Sequence, residues 1–142
     1  MTEEYSTGYK KTFSKEEKLC STKSIESLFA KGDSFIAYPL RVVYLLRDEA
    51  VEENQYASVL ISVSKKKFKR AVKRNRVKRL VREAYRLNKS SCLDWLKANN
   101  KQMDIAFLYL KSELPTYAEI EKSIQKAIAT LKTKTTAETE AG

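Results

Sequence analysis

Apolar positions along this chain change period several times, and each change marks an element. Between Lys23 and Lys31, Ile25, Leu28 and Phe29 fall at i, i+3 and i+4, the spacing of one helix face. Thr22 is placed to cap that helix and Gly32 to end it. Ser34 to Ala37 predicts a short strand, stopped by Pro39, which has no N–H to give to a ladder. From Leu40 to Arg47 the period is two: Leu40, Val42, Tyr44 and Leu46 share one face, Arg41, Val43, Leu45 and Arg47 the other. An acidic connection, 48–54, leads to a second alternating run from Gln55 to Val63. There Ala57, Val59, Ile61 and Val63 oppose Tyr56, Ser58, Leu60 and Ser62. The simplest reading joins these two runs as a hairpin with one covered face and one more accessible face.

The helical period returns from Ala71 to Leu87. At about 100° per residue, Val77, Leu80, Val81, Ala84 and Tyr85 form one arc with Asn88 beside them, and Asn75, Arg79, Arg82 and Arg86 lie opposite, flanked by Arg76 and Lys78. Ser90 or Ser91 restarts a short helical piece through Cys92, Leu93 and Leu96, ending at Asn99-Asn100. Met103 to Leu110 is apolar on both faces apart from Asp104, the pattern of a buried strand. Thr116 and Glu119 form a capping box after Pro115, and Ile120, Ile124, Ala127, Ile128 and Leu131 carry the helix onward. Residues 1–13 are polar and aperiodic and read as a flexible arm, 14–132 as one domain, and the small polar stretch 133–142 as a disordered tail. The order α, β, β, β, α, β, α predicts an α+β fold whose helices pack mainly on one side of a four-stranded sheet.

Charge changes this picture from a fold to a surface. The chain has 28 Lys and Arg against 18 Asp and Glu, a net +10. Residues 65–89 hold 13 of those cations and, in Glu83, a single acid, so the remainder is slightly acidic. A positive charge this local points to a binding surface for a polyanion. A merely solvated helix face would interleave acids at i,i+4, and this one hardly does. Arginine predominates from Arg74 onward, which suits forked phosphate recognition. Asn75, between two arginines, can donate and accept at once. Phe29, Phe35, Tyr38, Tyr44, Phe107 and Tyr109 are either core residues or stacking platforms for unpaired bases.

Other chemistry is poorly provided for. There is no histidine, which removes histidine bases, nucleophile–histidine pairs and histidine-ligated metals. Cys20 and Cys92 lie far apart and read as reduced thiols of a cytoplasmic protein. No apolar run approaches the ~20 residues of a membrane span, and the first residues lack a signal-peptide pattern. The acids do not converge, and Asp104, the one carboxylate inside an apolar strand, reads as a strand-end group. No catalytic or metal-binding residue is therefore assigned to the polypeptide.

The run from Val63 to Arg86 resembles the signature of the protein subunit of bacterial ribonuclease P. It is carried here by Ser64, Lys65, Lys66, Ala71, Arg74, Asn75, Arg76, Lys78, Arg79, Arg82 and Glu83. Weaker similarity extends over about residues 15–132, through Leu19, Phe29, Gly32 and the Tyr44 strand. The resemblance implies an αβββαβα two-layer sandwich, ribosomal-protein S5 domain 2-like, with a left-handed crossover that departs from the usual handedness. It implies that the partners are the catalytic ribonuclease P RNA and the 5′ leader of precursor tRNA, with no membrane and no obligate protein partner. It also implies that hydrolysis is performed by the RNA with Mg²⁺ bound chiefly by that RNA. By the same resemblance Lys65, Lys66, Arg70, Arg74, Asn75, Arg76, Lys78, Arg79, Arg82 and Arg86 would bind RNA, and Phe29 and Tyr44 would line the leader cleft. Two positions depart from the family pattern: Phe68-Lys69-Arg70 stands where some members have glycine, and Ile25 where an aromatic cleft residue is common. The alternatives are a non-catalytic module of ribosomal-protein-like fold that binds structured RNA, and a major-groove DNA reader. The elements around the basic helix do not resemble a helix-turn-helix.

Overall fold

A computed structural model describes residues 22–47 and 56–141. The arm at 1–13 and the 48–54 connection lie outside the described residues. The elements are α1 (Thr22–Lys31), β1 (Asp33–Ala37), β2 (Leu40–Arg47), β3 (Ala57–Ser62), α2 (Ala71–Asn88), α3 (Ser90–Asn99), β4 (Gln102–Tyr109) and α4 (Tyr117–Ala141). The expected order holds, with the short helical piece after the basic helix present as α3.

The sheet order is β1-β2-β4-β3. The two alternating runs are therefore not a hairpin, as the sequence alone suggested. β2 pairs with β1 and with β4, both antiparallel, while β3 pairs with β4 in parallel. The physical reason lies in β4, where Met103 to Phe107 are all buried. A strand apolar on both faces belongs in the middle of a sheet, and it displaces the half-polar β3 to the edge. The hairpin is β1–β2, turned through Tyr38-Pro39, and the Pro39 carbonyl accepts from Leu110 N–H at 2.8 Å.

Strand register sorts the side chains into two faces. One face, with Leu40, Val42, Tyr44, Val59, Ile105, Phe107 and Tyr109, packs against Val77, Val81, Ala84 and Tyr85 of α2, Cys92 and Leu96 of α3, and Ile120, Ile124 and Leu131 of α4. Among the described residues the other face is covered by α1, through Leu28 on Val43 and Ala106, with Ile25, Leu45, Leu60 and Leu108 around them. Ile25, in place of an aromatic residue, is thus part of this smaller apolar cluster. Gly32 ends α1 because the chain passes very close to its neighbours: a Cβ there would collide with the carbonyl oxygens of Leu28 and Tyr44. α3 closes on Asn100 in the left-handed region (φ 53°, ψ 47°), with Lys101 N–H returning to Leu96 O at 3.0 Å.

The start of α4 makes half of the expected capping box. Thr116 Oγ1 accepts from Glu119 N–H at 3.1 Å, but the Glu119 carboxylate is taken by Lys111 Nζ at 2.9 Å. The segment from 133 onward corrects the expectation of a disordered tail, because α4 continues to Ala141. Thr135 is buried and its hydroxyl donates to Leu131 O at 2.7 Å. Its Lys, Ala and Glu residues suit extension of a helix already nucleated.

Candidate nucleic-acid interface

β3 ends at Ser62, and the chain must turn into α2 within eight residues. Ser64 makes the turn: its carbonyl accepts from Lys67 N–H (3.1 Å) and Phe68 N–H (3.2 Å), and its Oγ from Lys66 N–H (3.0 Å). Phe68, 6% exposed, drops into the core and stacks on Tyr109 with ring centroids 6.1 Å apart. That contact accounts for the aromatic residue at this position: the loop is anchored by packing. Lys65, Lys66, Lys69 and Arg70 are left exposed around it.

α2 continues the cationic surface. Asn75, Arg76 and Arg79 are exposed, and Lys78 and Arg82 are half-buried at the flanks. The first turn carries no acid and Arg70 supplies no side-chain cap, so the positive end of the helix dipole adds to the field of the side chains. Val72, 76% exposed, stands among these cations. Arg86 and Arg74 make hydrogen bonds within this region. Arg86 Nε donates to Glu83 Oε1 at 3.3 Å and Nη2 to Oε2, and this pairing holds the Glu83 carboxyl below its ordinary value and raises the Arg86 guanidinium. Arg74 turns back onto the loop, with Nη1 donating to Phe68 O at 2.8 Å and Lys69 O at 2.9 Å.

The second region is the sheet face beside α1. Across the strands, register places Ile36, Arg41, Leu108 and Ser62 in one row and Ser34, Val43, Ala106 and Leu60 in the next. The first row abuts the chain that leads into Ser64, Lys65 and Lys66. Ile36 and Arg41 are exposed, and Leu108 and Ser62 half-buried. Phe29 is 48% exposed on α1. Tyr44 is not its companion: it is 3% exposed, points to the opposite face, and packs on Phe35 with centroids 6.0 Å apart. The pairing of Phe29 with Tyr44 in one cleft is therefore corrected, since Val43, not Tyr44, faces α1. Alternation along β2 already separated the two faces. Which face α1 would cover, and that Leu108 of the wholly apolar β4 would reach the open one, had no signal in the sequence. At the far end of this face Arg47 Nε and Nη2 donate to Asp104 Oδ2 at 3.0 and 2.7 Å, so the buried β4 carboxylate belongs to an ion pair with a half-buried arginine.

Comparison with known proteins agrees with the sequence resemblance. Residues 13–132 match the family described as Ribonuclease P. A Porphyromonas gingivalis protein named "Ribonuclease P protein component" is 49% identical over 115 residues, spanning 81% of this chain and 82% of that one. Its namesake from Clostridioides difficile is 34% identical over 117 residues, spanning 82% and 92%. The fold is similar to that of the Staphylococcus aureus RNase P protein (TM-score 0.61, 21% identity, 82% of this chain and 95% of that one). It is also similar to the RNase P protein from Thermotoga maritima (TM-score 0.60, 23% identity, 79% and 94%). The chain belongs to the ribonuclease P protein family.

Proposed function

We propose that this chain is the protein subunit of a cytoplasmic ribonucleoprotein endoribonuclease that removes the 5′ leader from precursor tRNA. The reading is carried by one observation: in a member of this family, an acid-poor cationic helix face runs without a break into an exposed lysine loop beside an open sheet face. Lys65, Lys66, Arg70, Asn75, Arg76 and Arg79, flanked by Lys78 and Arg82, meet the backbone of the catalytic RNA. Each neutralised phosphate releases counterions, which lets two polyanions, enzyme RNA and substrate, approach each other. The single-stranded leader lies across the face beside α1, where Arg41 meets phosphate and Phe29, Ile36 and Leu108 offer apolar contact to bases.

Bond cleavage belongs to the RNA. Among the described residues no three His, Cys, Asp or Glu side chains stand close enough to share a metal ion, and Asp104 is engaged by Arg47. Mg²⁺ held by RNA oxygens would polarise the scissile phosphodiester and activate the attacking water. The polypeptide raises affinity for substrate and metal by supplying fixed positive charge where phosphates crowd.

Reconstitution with a bacterial ribonuclease P RNA tests this. Arg76→Ala and Arg79→Ala are expected to slow cleavage of precursor tRNA most at low Mg²⁺ and to approach the wild-type rate as Mg²⁺ rises, while protein alone cuts nothing. Rates unchanged across the titration would remove the assigned role. RNA binding without any effect on cleavage would instead fit the structured-RNA-binding alternative.

A further inference from the structure

The segment from Lys65 to Arg70 packs five cations into six residues, with Phe68 the one apolar member. Mutual repulsion favours an open, shifting loop, yet two contacts oppose it. One is the burial of Phe68 on Tyr109. The other is Arg74, whose Nη1 is shared between the carbonyls of Phe68 and Lys69. At about 100° per residue Arg74 falls on the arc of Val77 and Val81, the buried side of α2, and not with Asn75, Arg76 and Arg79. It is half-buried where those three are exposed. A guanidinium turned into its own loop is badly placed to meet a phosphate outside it.

We infer that Arg74 is a positioning residue: it sets the shape in which Lys65 to Arg70 present their charge to RNA, and does not itself contact a phosphate. The inference deepens the RNA-binding reading of the loop and rests on it for its functional consequence. Lysine should not substitute, because its ammonium ends a shorter side chain than the one by which Nη1 reaches both carbonyls and is not held in the guanidinium plane.

Three variants test it: R74K, R74Q and R79Q. In the free protein, amide exchange at Lys67, Phe68 and Lys73 is expected to quicken in both Arg74 variants, with exchange at Ile105 in β4 unchanged. Binding to a bacterial ribonuclease P RNA transcript should weaken by about threefold to tenfold in R74K and R74Q alike. Their slopes of log K against log salt should match the wild type, whereas R79Q loses about 0.7–0.9 of slope. Wild-type affinity in R74K together with an R79Q-like slope in R74Q would make Arg74 a phosphate contact and overturn the inference. Unchanged exchange at the loop amides would also overturn it. An R79Q slope equal to the wild type would defeat the RNA-face reading instead, and exchange in the free protein would still decide the role of Arg74.

Discussion

At Gly32 a Cβ would run into the backbone oxygens of Leu28 and Tyr44, which cannot move without shifting α1 or β2. Gly32→Ala is expected to cost about 1–3 kcal/mol, as overpacking does, and equilibrium urea unfolding would measure it. Wild-type stability would mean that α1 floats on the sheet more loosely than its contacts suggest. The position was legible in the sequence as a helix end, but the usual reason for glycine there, a left-handed backbone, is not the one that operates. Arg74 makes a similar point. Residue type and motif placed it with the other cations, while its helical phase, available from the sequence, put it on the buried side. Arg47 and Asp104 show the opposite limit, since 57 residues separate them and only the β2–β4 pairing brings them together.

At the scale of elements, periodicity served well. α2 was expected from Ala71 to Leu87 and runs Ala71–Asn88, and β2 spans Leu40–Arg47 as expected. Ends were less legible, because they depend on which partner a capping group finds. Glu119 answers Lys111, not its own helix, so the Thr116 hydroxyl carries the side-chain cap at the start of α4. Thr116→Ala should therefore destabilise the protein by about 1 kcal/mol. A double-mutant cycle with Glu119→Gln should be close to additive, because the two side chains serve different partners. A large coupling would restore the reciprocal capping box. The extension of α4 to Ala141 belongs here too: a polar composition suggested disorder, but a helix already docked by Ile120, Ile124 and Leu131 is cheaper to continue than to start, even through several threonines.

At the scale of the molecule, the proposed function needs two surfaces at once, and they lie on different sides of the fold. Among the described residues α2, α3 and α4 fill one face, and α1 covers only part of the other. The two surfaces should be separable by mutation. Ile36→Glu, an exposed site of that face on β1, the edge strand far from β3, is expected to raise the KM for precursor tRNA carrying a leader while leaving affinity for the catalytic RNA within about twofold, since strands about 4.8 Å apart put it about 14 Å from the chain that leads into Lys65, beyond the screening length of about 10 Å. Arg79→Ala should do the reverse. Equal losses in both assays would show that leader and catalytic RNA share one surface.

Local physics decided much of this protein from the sequence alone. A helix or strand is recognised by its own period, and 13 cations in 25 consecutive residues must create a positive surface wherever they fold. Strand order, the face that α1 covers, and with it the turning of Tyr44 away from the proposed leader surface were left to the tertiary structure. Those outcomes depend on contacts between residues distant in sequence, above all on β4, whose two apolar faces could be satisfied only at the centre of the sheet.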